Sequence, residues 1–189
     1  MRVIAGKFRS RPLRALRGLD IRPTSDRLRE TLFNVLTAGN PEALAGSLWI
    51  DLYAGTGAVG IEAISRGAGM VYFVESSKAA ADVIRGNLDS LGVRAGFQVL
   101  QEQSARAIPL LLQRQNLHPD FIFLDPPYGL QKEYVATLNA LGMLELSPGT
   151  LVMVEHEKRF DPGDEAGGLR RSRKLVQGDA ALSFYRRVV

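Results

Sequence analysis

Between residues 47 and 156, short apolar runs alternate with stretches of helical periodicity, and this alternation restricts the fold more than any other feature of the chain. Strands are expected at 47–54, 69–75, 97–101, 121–125 and 150–156, with helices at 58–67, 77–92, 104–115 and 132–142 between them. Gly67 and Gly92 stop two of the helices, and Pro109 bends or delays a third. Strands joined through helices pair in parallel, because a parallel neighbour is reached only through a long crossover. The expected fold is therefore α/β, a doubly wound, mainly parallel sheet with helices on both faces. Residues 170–177 and 181–188, joined by Gly178 and Asp179, add a C-terminal antiparallel hairpin. Upstream, 1–17 reads as a small β-hairpin or meander. A helix then runs from a cap at Thr24 or Ser25 to Leu36, with Leu28, Leu32, Phe33 and Val35 on its apolar face.

In a sheet of this kind, ligands bind outside the carboxyl ends of the strands, at the point where the strand order reverses. The segment DLYAGTGAVG (51–60) stands at such an end and matches G-x-G-x-x-G through Gly55, Gly57 and Gly60. Asp51 precedes it inside the strand. Glu75 closes the second strand, where a carboxylate can accept hydrogen bonds from both hydroxyls of a ribose. These residues indicate an adenosine-type ligand. Tyr53, Ala54, Thr56, Ser76, Gln103 and Ser104 are further candidate contacts to it. Alone, they suit a nicotinamide dinucleotide equally well.

FIFLDPPY (121–128) narrows the choice. An apolar strand runs into Asp125, and Pro126 and Pro127 end its pairing because they carry no N–H and hold φ near −65°. A carboxylate, a rigid turn and the ring of Tyr128 then converge where ligands bind.

With D-x-x-A-G-T-G and this D-P-P-Y, the chain resembles the S-adenosylmethionine-dependent methyltransferases that modify exocyclic amines. More closely, it resembles the bacterial 16S ribosomal RNA guanine-N2 methyltransferases over nearly its whole length. MRVIAGKFRSRPL, RPTSDRLRETLFN, DLYAGTGAVGIEAISRGA, FVE, FLDPPY and GDAALSFY carry that likeness. Two positions depart from it: Ala180 stands where the family usually has Thr, and Gln103 where methyltransferases often place an acid near the adenine amine. The resemblance implies a Rossmann-like class I methyltransferase fold, S-adenosylmethionine as cofactor and S-adenosylhomocysteine as product. It implies a substrate within 16S rRNA of the small ribosomal subunit, taken in the assembled subunit. Asp125, Pro126, Pro127 and Tyr128 are the expected catalytic residues: the carboxylate and the Pro126 carbonyl orient the amine, and the ring stacks on a base taken out of its stack. No metal or covalent intermediate is needed.

Charge agrees with a nucleic-acid partner. Residues 1–30 hold nine Lys or Arg against three acids, and 158–189 hold eight against four, whereas 31–157 hold seven against thirteen. Arg2, Lys7, Arg9, Arg11, Arg14, Arg22, Arg27 and Arg29 are expected RNA contacts, Arg27 and Arg29 doubling as candidates for salt bridges to Asp26 and Glu30. The expected division is a basic RNA-binding extension at 1–40 and a methyltransferase domain at 41–189. The absence of cysteine excludes disulfides and Cys-type zinc sites. With no run of ~20 apolar residues, a cytoplasmic monomer free of membranes is expected. Three rival readings remain at this level: an amino-methyltransferase for DNA adenine or a protein glutamine amide, an NAD-dependent oxidoreductase, and an inert RNA-binding module.

Overall fold

The structure, a computed structural model, describes residues 1–15, 26–127 and 129–188. Thr24, Ser25, Arg22 and Tyr128 lie outside the described residues. Helix α1 (Asp26–Leu36) precedes five βα-type strands: β1 (Leu48–Leu52), β2 (Met70–Val74), β3 (Phe97–Leu100), β4 (Phe121–Leu124) and β5 (Leu151–Glu157). Between them run α2 (Ala58–Ser65), α3 (Lys78–Ser90), α4 (Ser104–Pro109) and α5 (Gln131–Gly142). The chain closes with β6 (Glu165–Ala166), β7 (Leu169–Gln177) and β8 (Ala180–Arg187).

The sheet has eight strands in the order β3-β2-β1-β4-β5-β8-β7-β6. The first five pair in parallel, and β8, β7 and β6 add on antiparallel. The chain winds outward from β1 to β3 and returns to β4, so the reversal lies between β1 and β4.

Side chains alternate between two cores, as a pleated sheet buried on both faces requires. Trp49, Phe73, Phe123 and Met153 pack under α1, α2 and α3. Ile50, Val74, Ile122, Leu124 and Val154 pack under α4 and α5 with Leu138 and Leu141. Trp49 is fully buried, its ring 5.5 Å from Phe33 and 5.0 Å from Phe121.

Helix 104–115 appears as two pieces. Pro109 has no N–H to donate to Ala105, and α4 gives way there to a π-turn at Leu110–Arg114. The N-terminal hairpin is rudimentary, a single antiparallel bridge between Arg2 and Pro12 around a 3-10 turn at Gly6–Phe8. Its pairing stops early because the N–H groups of Ile4 and Ala5 donate to the Glu62 carboxylate of α2, at 2.8 and 2.9 Å. Val3, Leu13, Leu28, Leu32 and Phe33 belong to the same core as Trp49 and Phe73, so the described part of 1–40 packs continuously with the sheet.

Candidate active site

The glycine loop is held open by a small set of directed bonds. Asp51, 2% exposed at the end of β1, accepts the Gly60 N–H at 2.9 Å. Burial pushes its carboxyl up to about 7; the Gly60 bond opposes that rise and the nearby Glu75 charge adds to it. Gly60 has to be glycine. A Cβ there would come within 2.3 Å of the Phe73 ring and 3.0 Å of Asp51 Oδ2. Gly57 starts α2 in the left-handed region, at φ 79°.

Glu75 grips the same loop from β2. Its Oε2 accepts the Gly55 N–H at 2.8 Å, and its Oε1 the Ser77 N–H at 2.7 Å. Each carboxylate oxygen thereby keeps capacity for a further donor. Above the loop the space is open: a Cβ on Gly55 would meet only the Tyr53 carbonyl, at 3.9 Å. Ala54 is tied by its N–H to the Val74 carbonyl at 3.0 Å, and Gly57 to the Ala54 carbonyl at 2.7 Å. Ser76 and Gln103 are exposed; Gln103 is the N-cap position of α4, and the buried Ser104 follows it.

Tyr53 points elsewhere. It holds φ 60°, and its hydroxyl reaches α5, bonded with Thr137 Oγ1 at 2.7 Å and donating to Glu133 Oε2 at 3.1 Å. Burial raises its pKa. The side chain thus links the loop to α5, and its backbone remains the part nearest the glycines.

Across the reversal, β4 delivers Asp125 beside β1 in the register Asp51–Phe123 and Leu52–Leu124. Asp125 is half-buried, Pro126 buried and Pro127 exposed. The Pro126 carbonyl accepts a 2.8 Å hydrogen bond from the buried hydroxyl of Tyr134 on α5. Pro127 closes the following turn, its carbonyl accepting the Leu130 N–H at 3.2 Å.

Sequence reasoning missed Tyr134, and it missed Asn87. Asn87 is fully buried on α3; its Nδ2 donates to the carbonyls of Thr56 (3.0 Å) and Arg14 (3.2 Å), and its Oδ1 accepts the Arg14 N–H at 2.8 Å. One amide therefore joins the glycine loop to the basic arm. The available signal was an amide in the inward stripe with Ile84 and Leu91, where an apolar residue is the default. Met1 adds a second contact to that loop, its sulfur 3.8 Å from Thr56 Oγ1.

Among the basic residues, Arg2, Lys7, Arg9, Arg11, Arg14 and Arg27 are exposed. Arg11 is partly committed, donating to the Ser90 carbonyl at 2.8 Å. Arg29 is corrected: it is fully buried and cannot reach RNA. Its Nη2 donates to the Arg2 carbonyl at 2.5 Å and to Asp26 Oδ1 at 2.9 Å, and its Nε lies 3.8 Å from Glu62 Oε2. The Asp26 pairing is the salt bridge expected of it, made by a buried guanidinium to a half-exposed carboxylate. No group of three potential metal ligands occurs among the described residues. No described helix is long and apolar enough to cross a membrane.

The family model described as conserved hypothetical protein 95 matches residues 1–186. The chain belongs to that family. It is similar to ribosomal RNA small subunit methyltransferase D of Haemophilus influenzae, 37% identical over 84% of this chain and 79% of that one. The protein of the same name from Escherichia coli is 32% identical over 99% and 90%. The solved structure of the Escherichia coli protein yhhF matches with a TM-score of 0.78 and 31% identity, over 99% of this chain and 97% of that one. The fold is that of the class I methyltransferases.

Proposed function

We propose that this chain transfers a methyl group from S-adenosylmethionine to the exocyclic N2 amine of a guanine in small-subunit ribosomal RNA. One observation carries the reading: Asp125 and the Pro126 carbonyl stand at the end of β4, beside the glycine loop of β1, with that carbonyl locked by Tyr134. The names of its relatives support an rRNA substrate.

The loop suits the cofactor. Glu75 keeps acceptor capacity for the ribose hydroxyls, and the open face over Gly55 lets a ligand approach the backbone. When bound there, S-adenosylmethionine supplies a methyl group on a positively charged sulfur. The guanine amine is a weak nucleophile because its lone pair is delocalised into the base. Asp125 and the second lone pair of the Pro126 carbonyl each accept one of its N–H groups, which turns the nitrogen lone pair toward the methyl group. The carboxylate also stabilises the positive charge that grows on nitrogen as the N–C bond forms and the S–C bond breaks. S-adenosylhomocysteine is the leaving group, and the methylated amine sheds one proton. The two prolines and Tyr134 fix these acceptors before substrate arrives, so much of the acceleration is orientation.

The test is transfer of labelled methyl from S-adenosylmethionine to free 16S rRNA, assembled small subunits, DNA and protein, with the modified base mapped. Label at a guanine N2 in the rRNA is the expected result. Label confined to DNA adenine or to protein glutamine overturns the substrate assignment, and no label in any arm overturns the reaction.

A further inference from the structure

The Lys and Arg side chains of 158–189 divide into engaged and free. Arg170 pairs with Glu165 at 3.0 Å, Arg171 with Asp161 at 2.6 Å and also with Asp164, and Lys174 with Asp161 at 2.7 Å. Arg186 and Arg187 donate to the carbonyls of Gly149 and Leu146 at 3.2 and 3.1 Å. Lys158, Arg159 and Arg173 are exposed, and their side chains have no partner among the described residues. Arg173 lies toward the amino ends of the parallel strands, in a cleft with Asp120, Phe121 and Gly149. Lys158 and Arg159 lie at the other end, directly beyond β5.

That end is where the catalytic motif sits. Val154 is level with Leu124, so Lys158 begins about 10 Å beyond the level of Asp125 along the strand and about 5 Å to the side. The two cations form the tip of a tight turn. The Lys158 N–H donates to the Asp179 carbonyl at 2.8 Å, and the Phe160 N–H returns to the Glu157 carbonyl at 3.1 Å. Phe160 packs on Tyr134 with ring centroids 5.2 Å apart, and Tyr134 is the residue that holds the Pro126 carbonyl. The turn is therefore braced against the catalytic motif. Glu157 and Asp179 flank it, and neither forms an ion pair with Lys158 or Arg159.

The strand order places Asp125 between this turn and the N-terminal arm. The arm is docked on α2 and α3, on the β1-β2-β3 side, whereas β5 lies on the other side of β4. We propose that Lys158 and Arg159 bind phosphates of the substrate RNA on the flank opposite the arm, so that the strand carrying the target base is held on both sides of it. This rests on the RNA reading above. Ammonium and guanidinium groups on a projecting turn suit backbone phosphates, which set register without reading sequence.

The experiment compares wild type, the double variant Lys158→Gln/Arg159→Gln and the control Arg173→Gln. Affinity for unmodified 16S rRNA, free and in assembled small subunits, is measured across a salt series, alongside calorimetric titration of S-adenosylmethionine and a melting curve. Two lost phosphate contacts flatten the slope of log affinity against log salt by about 1.4. The expected result is that flattening, with weaker RNA binding and unchanged cofactor affinity and melting in the double variant, and wild-type behaviour in the control. An unchanged slope and affinity, an equal loss in Arg173→Gln, or a loss accompanied by lowered melting overturns the proposal. If wild type itself neither binds nor methylates the rRNA, the functional reading falls and this inference with it. Wild-type methylation alongside an unaffected double variant overturns this inference alone.

Discussion

Pro126 contributes a carbonyl and no N–H, and Tyr134 occupies one of the two lone pairs of that carbonyl. Removing the Tyr134 hydroxyl leaves the ring packed on Phe160 and frees the carbonyl to move. Tyr134→Phe is expected to lower kcat about tenfold with KM and cofactor affinity little changed, because the bond that positions the Pro126 carbonyl is lost. Single-turnover methylation with cofactor calorimetry checks it. Asp125→Ala removes an acceptor aimed at the developing charge, a change of the order of 10²–10³ in rate. That variant is expected to fold and to bind cofactor as wild type does. Asp51 yields a prediction of opposite kind. Its folded pKa of about 7 lies above the ordinary value of 3.8, so the folded state binds the proton more tightly than the unfolded chain. Its contribution to stability therefore declines as pH rises from about 4 to 7, by up to about 1.4 kcal/mol per pH unit. Denaturant unfolding of wild type and Asp51→Asn at pH 5 and pH 7.5 checks the sign: the difference moves toward wild type at the lower pH.

At the scale of elements, Asn87 is the joint between α3, the glycine loop and the arm. Asn87→Ala leaves the Thr56 and Arg14 backbone groups short of a partner, at about 1–3 kcal/mol for a buried polar group. Lower stability and weaker cofactor binding are both expected, measured by urea unfolding and calorimetry. Asn87→Leu fills the stripe with an apolar side chain and leaves the cofactor defect in place. Nearly every element was legible from periodicity, because each strand or helix buries a face and the pattern of that face is local. β6 was not, since two residues carry no period. Of the candidate site, Asp51, Glu75, the glycines and Asp125 were legible because motif spacing and strand ends announce them. Tyr134 and Asn87 act through contacts between separate elements, and residue type alone does not reveal those contacts. Arg29 was misjudged for a related reason. Net charge along a segment says nothing about which guanidinium turns inward to meet Glu62.

At the scale of the molecule, exposed cations lie on both flanks of an otherwise acidic body, and the arm among them is fastened through Glu62, Ser65 and Asn87. Lys7 and Arg9 are exposed and free of ion pairs with described residues. Replacing both with Gln is expected to weaken rRNA binding and flatten its salt dependence by about 1.4, with the melting temperature unchanged. A lowered melting temperature with an unaltered slope assigns the pair a structural role instead. The strand order has a consequence for how such a chain is made. β8 is inserted between β5 and β7, yet it leaves the ribosome after both. Until it emerges, β5 has no neighbour on one side, and four of its seven residues, Leu151 to Val154, are apolar and buried in the finished protein. An unpaired apolar strand edge is a template for any other strand nearby. A nascent chain of this fold therefore passes through a period when that edge is open. Emergence of β8, rather than completion of the glycine loop or of the D-P-P-Y turn, is the moment at which the sheet can close.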